Sequence, residues 1–167
     1  METIGHRLDN PTRVYSFDEL LLLPGLAKLS PRNIDISTTL DGYKLNVPFI
    51  SAAMDTVTES ELATALALKG GLGVIHRNCT PDEAIEMVRK VKKAEIPKDH
   101  FETATKDSRN RLAVAAAVST NDIDGAVALS HEADFLFSDV ASFYNLKVIE
   151  GTRKALACTG WQWLWKG

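Results

Sequence analysis

Four groups of side chains able to bind or react follow short apolar runs. Ser51, Met54, Asp55 and Thr56 come after Val47-Pro48-Phe49-Ile50, and His76, Arg77 and Asn78 come after Leu72-Gly73-Val74-Ile75. Ser119 and Thr120 follow the run from Leu112 to Val118, and Ser138, Asp139 and Ser142 follow Phe135-Leu136-Phe137. Hydroxyls, carboxylates, an imidazole and a guanidinium at strand ends suit a small polar ligand. Helix capping alone would also account for Ser119, Thr120 and Ser142. A nucleophile is harder to find. Cys79 lies near His76, but it stands just before a helix cap and has no evident orienting partner, so it reads as structural. Neither Cys79 nor Cys158 belongs to a CxxC or Cys/His pattern that would hold zinc.

The elements that must position these groups are legible from periodicity. The four apolar runs are nearly continuous rather than alternating, as in strands buried on both faces of a parallel sheet. Thr58-Glu59-Ser60-Glu61 reads as a capping box, with Leu62, Ala65 and Leu66 as the apolar face of its helix and Gly70-Gly71 as its end. Thr80-Pro81-Asp82-Glu83 reads as a second box, followed by Ala84, Val88 and Val91 on the buried side. Ile123, Ala126 and Val127 line a third helix, and Leu146 and Ile149 a fourth. The order is therefore βαβαβαβα, an α/β fold closed either as a doubly wound sheet or as part of an eight-stranded barrel. Gly70-Gly71-Leu72-Gly73 is no dinucleotide loop, because it precedes a strand. Residues 94–111 form a long polar connection. After Leu156 the composition changes abruptly, and the end bearing Trp161, Trp163 and Trp165 reads as an appended tail.

Composition narrows the function classes. The chain has 167 residues, a formal net charge of -3 and 45% apolar residues, enough for one domain with a real core. Charges of both signs are interspersed, which argues against a nucleic-acid partner. The apolar runs are too short to span a bilayer, and Met1 to Asn10 is too polar for a secretory signal. A cytoplasmic protein with reduced thiols is expected.

The motifs themselves carry a resemblance. Tyr15-Ser16-Phe17-Asp18-Glu19-Leu20-Leu21-Leu22-Leu23-Pro24-Gly25 resembles the opening of inosine-monophosphate (IMP) dehydrogenases. The stretch from Leu45 through Ser51-Ala52-Ala53-Met54-Asp55-Thr56-Val57-Thr58-Glu59 is similar to that family's first barrel strand and signature turn. Gly70 to Thr80 resembles the second strand, and Ala104 to Asp107 with Arg111 to Val118 the re-entry into the barrel.

This resemblance, over residues 13–156, implies a (β/α)8 TIM barrel, here a partial barrel of about four βα units. It implies oxidation of IMP to xanthosine monophosphate with hydride passing to NAD, through a cysteine adduct at the purine C2 that water then hydrolyses. It places Ala52 and Met54 on the substrate nucleotide, and Asp139 and Ser142 toward the nicotinamide ribose of NAD. It assigns no catalytic residue and no metal site here. Cys79 and Cys158 do not match the family nucleophile, and the loop bearing that nucleophile and the potassium site is not found. Residues 1–156 read as the barrel portion, with 94–111 in place of the family's regulatory CBS insertion, and 157–167 as the tail. The expected state is a homo-oligomer, inactive by itself, whose open edges and exposed apolar interior promote association. The alternatives are a GMP-reductase-like NADPH enzyme and a non-catalytic half-barrel that self-associates.

Overall fold

The computed structural model describes residues 13–142 and 145–159. The tryptophans of the tail lie outside them. Two compact units divide between Asp35 and Ile36. The first holds two short 3-10 turns, Phe17–Glu19 and Pro31–Asn33. Leu21, Leu22, Leu23 and Leu26 are exposed there.

The second unit opens with a hairpin not anticipated above. Strand β1 (Thr38–Leu40) pairs antiparallel with β2 (Tyr43–Leu45). Asp41 and Gly42 turn the corner at φ 44° and 82°, the left-handed pair that suits a two-residue hairpin loop. Then follow α1 (Ser60–Leu68), β3 (Gly73–Ile75), α2 (Pro81–Lys93), β4 (Val114–Val118), α3 (Ile123–Ser130), β5 (Phe135–Ser138) and α4 (Leu146–Thr159). Strands β3, β4 and β5 form a parallel sheet in chain order. The α/β alternation read from periodicity is therefore present.

The expected first strand is reduced to one bridge, Ile50 with Leu72. Its ladder is nonetheless parallel. Val47 N donates to Gly70 O (3.1 Å), Leu72 N to Phe49 O (2.9 Å), and Ser51 N to Leu72 O (3.0 Å). Pro48 lacks an N–H, which limits how far this segment can pair.

Side chains alternate across the sheet. Ile75, Val114, Ala116, Val118 and Leu136 face one core, which also takes Ala63 and Ala67 of α1, Ala84, Val88 and Val91 of α2, and Ala126 and Leu129 of α3. Val74, Ala113, Ala115, Ala117 and Phe135 face the other, against Leu40, Tyr43 and Leu45 of the hairpin. The rings of Tyr43 and Phe135 meet edge-on at 4.7 Å. This face was expected to lie open. Instead Val74, Ala113, Ala115, Ala117 and Phe135 are buried within the unit.

Helix α2 follows its signals closely. Thr80 Oγ1 accepts from Glu83 N, the Glu83 carboxylate accepts from Thr80 N, and Pro81 stands at the first position. Helix α1 does not. Its cap is Glu59, while Thr58 is fully buried and turns its hydroxyl to Ala52 O (2.6 Å). Its buried residues are Ala63 and Ala67, not Leu62, Ala65 and Leu66. It ends as expected at Gly70, whose φ of 90° lets Gly71 N reach back to Leu66 O. On α4, Ala155 is buried and Ile149 partly buried, whereas Leu146, expected on the same face, is exposed.

The 94–111 connection is anchored, not loose. Asp107 is buried and its carboxylate accepts from the amides of Arg109 and Arg111 (2.9 Å each). Lys92 of α2 reaches both Asp107 (3.0 Å) and Asp134 (2.5 Å), with side chains of 5%, 5% and 7% exposure. Asp134 also accepts from Val114 N and Tyr43 Oη. This charged cluster ties α2, the connection, the hairpin and the starts of β4 and β5 together. It lies at the opposite ends of the strands from the polar groups named first. Among the described residues no helix is long and apolar enough to cross a membrane.

Candidate functional site at the strand exits

The loop leaving the first strand is held in shape by its own backbone. Met54 N donates to Ala52 O (2.9 Å), Thr58 N to Met54 O (3.0 Å), and the buried Thr58 hydroxyl closes on Ala52 O. Thr56 takes a left-handed φ of 58°, unusual for a branched side chain. Ser51 is fixed to the neighbouring strand, its Oγ accepting from Val74 N (3.0 Å). Ala52 and Met54 are left exposed on this frame, Met54 at 57%. An exposed methionine beside a small residue offers a soft, apolar contact for a flat ring.

The exit of β3 supplies the cross-links. Asn78 Nδ2 donates to Asp55 Oδ2 (2.7 Å), joining this exit to the first-strand loop. Arg77 Nε donates to Asp139 Oδ2 (3.3 Å), joining it to the exit of β5. Sequence reasoning placed all four residues at strand ends, and the structure brings them into two pairs. Ser142, in the loop after β5, is exposed. Asp139 also follows the sheet, its N donating to Val118 O (3.4 Å).

Cys79 lies partly buried with its thiol directed to His76 O (3.6 Å). Burial pushes that thiol up from its ordinary range, and the carboxylates of Glu83 and Glu59 push it further the same way. A thiol so placed is a poor nucleophile at neutral pH. Cys158 is exposed on α4. A cavity of about 70 Å³ adjoins Arg77, Cys79, Ser119 and Asp122. It is too small for a nucleotide, for which pockets of roughly 300 Å³ or more are usual. The open rim, not this cavity, is the candidate surface. Among the described residues no cluster of His, Cys, Asp and Glu could hold a metal ion.

Asp139→Ala should change stability by less than about 1 kcal/mol. Both partners of its ion pair are about half exposed, and such pairs contribute little. Urea unfolding of the two proteins checks this. A loss of about 3 kcal/mol, the scale for breaking a buried pair, would make Asp139 a structural residue.

Comparison with known proteins bears on the same residues. The model of the IMP dehydrogenase / GMP reductase domain matches residues 14–158. The inosine-5'-monophosphate dehydrogenase of Methanocaldococcus jannaschii is 52% identical over 89 residues, which is 53% of this chain and 18% of that protein. That of Korarchaeum cryptofilum is 39% identical over 104 residues, 61% of this chain and 22% of its own length. That of Staphylococcus aureus is 51% identical over 81 residues, 48% of this chain and 17% of the relative. The chain thus spans about a fifth of the relatives it matches. With the family model covering nearly all of the described residues, the chain belongs to the IMP dehydrogenase / GMP reductase domain family.

Proposed function

We propose that this chain forms the first four or so βα units of an IMP-dehydrogenase-type barrel, with a nucleotide and NAD meeting at its rim. The observation that carries this is the parallel sheet in chain order, whose exits are joined by the Asp55–Asn78 and Arg77–Asp139 contacts. Ala52 and Met54 pack on the purine of IMP. Asp139 and Ser142 face the nicotinamide ribose, where a half-exposed carboxylate suits a sugar diol. NAD, when bound, supplies the hydride acceptor. The residues present here orient the two ligands. The relatives reported above are dehydrogenases by name, which favours this reading over a GMP-reductase-like NADPH enzyme.

By itself the chain should bind without turnover, because Cys79 is poorly suited to attack C2. Mixing it with IMP and NAD should give no NADH absorbance, while calorimetry with IMP should show heat of binding. An NADH signal that disappears in Cys79→Ala would overturn the assignment of Cys79, and absence of IMP binding would overturn the rim. Self-association belongs to the same proposal, since β5 pairs only with β4 among the described strands. Sedimentation of the same sample reads it, and a monomer at all concentrations would remove that part.

A further inference from the structure

Three consecutive residues at the exit of β3 reach three different parts of the rim. His76 is 5% exposed, and its Nδ1 accepts from Asn78 N at 3.1 Å. Its Nε2 faces Glu59 Oε1, at the start of α1, from 3.9 Å. Arg77 reaches Asp139 beyond β5, and Asn78 reaches Asp55 in the first-strand loop. The His76 carbonyl takes the Cys79 thiol as well.

We infer that His76 is a positioning residue whose ring acceptor bends the chain so that Arg77 and Asn78 diverge, joining the nucleotide loop to the cofactor carboxylate. The functional part of this inference rests on the reading of the rim given above. A side chain that accepts from the amide two residues on makes the same closed turn that asparagine and aspartate make. With the ring buried, this bond fixes the direction of residues 77 and 78 without using either of their side chains. Those side chains are then free to pair outward. An accepting Nδ1 also dictates the tautomer, since a neutral imidazole has one donor and one acceptor, so the proton sits on Nε2 toward Glu59.

The bland alternative is a core histidine with satisfied nitrogens. It predicts no special effect on Arg77 or Asn78 beyond general loss of stability. The two are separable because asparagine carries an acceptor close to the place of Nδ1, whereas phenylalanine fills the same space without one.

The test begins with nitrogen NMR of the unliganded chain. The wild-type ring should show a bare Nδ1 and a protonated Nε2. A proton on Nδ1 would overturn the inference with no variant needed. In His76→Phe, the Arg77 Nε–H and Asn78 side-chain amide signals should move to exposed, freely exchanging positions while unfolding stays cooperative. In His76→Asn both should return toward their wild-type positions. Unmoved signals in a folded H76F, or failure of a folded H76N to restore them, would overturn the positioning role. Calorimetry with IMP then separates the two readings. If wild type binds, H76F should bind about tenfold more weakly, the loss expected of one hydrogen bond of about 1.4 kcal/mol, and H76N within about threefold of wild type. Equal binding by wild type and H76F would sever His76 from the nucleotide loop. If wild type does not bind, the rim reading fails, and the NMR result still decides the turn.

Discussion

Replacing Lys92 by methionine should destabilise the protein by about 3–5 kcal/mol, the scale seen when one partner of a buried charge pair is removed. The ammonium sits between two carboxylates, and all three side chains are nearly excluded from water. Asp107 would keep Arg111 and two backbone amides. Asp134 would keep only neutral donors among those identified, Val114 N and Tyr43 Oη, so most of the loss falls there. Lys92→Met with Asp134→Asn should therefore recover much of it. Denaturant unfolding of the three proteins measures this. A loss below about 1 kcal/mol in the single variant would mean that the two carboxylates are solvated without their lysine.

The cluster also sets an acid limit. Burial opposes ionisation of Asp107, but the Arg111 amide and the Lys92 ammonium outweigh it, leaving the carboxyl at about 2 against an ordinary 3.8. A lowered folded-state value contributes stability in full above the ordinary one, lost as pH falls through about 2. The phenol of Tyr43 is pushed up to about 12 by burial and then by Asp134, so it remains a donor through the neutral range.

The second large effect is expected at Gly73. A Cβ there would stand 2.4 Å from Ala63 Cα and 2.5 Å from Ala63 Cβ. Neither atom can swing aside, because both belong to the frame of α1. Gly73→Ala should lower stability by about 3 kcal/mol, the upper part of the usual range for overfilling a packed core. Thermal unfolding checks it. A change under about 0.5 kcal/mol would show that helix and strand separate easily at this contact. Ala63→Gly in the same protein should return only part of the loss, since the close approach to Cα remains.

Gly73 also explains one thing the sequence concealed. The run Leu62-Ala63-Thr64-Ala65-Leu66-Ala67-Leu68 is apolar nearly all round, so periodicity alone cannot orient it. The strand decides: a glycine at the contact selects the alanine face, and the leucines turn elsewhere. In α2, most charged residues mark the outer side, and Ala84, Val88 and Val91 are buried as read; Lys92 is the exception, buried against two carboxylates. Two Thr-x-x-Glu boxes look alike in sequence, yet only Thr80 caps. Thr58 is drawn to Ala52 O by a loop whose shape local pattern does not reveal. The Asp41-Gly42 turn was a readable hairpin signal, with threonines before it and Tyr43 after it. The strand-exit residues were legible because parallel α/β folds gather them there. Their pairing was not, because it depends on which exits stand side by side.

The chain-order sheet has a consequence for how the protein is made. β4 pairs with β3 and β5 with β4, so a nascent chain can add one βα unit to a template already formed. The buried lysine follows the same schedule. Lys92 meets Asp107 after 15 residues of further chain and Asp134 only after 42. Its positive charge is balanced by a near neighbour before the distant one arrives, so burial of the ammonium need not wait for β5. For Lys92, synthesis order and electrostatic order coincide, whereas the contact of Tyr43 with Asp134 closes over 91 residues.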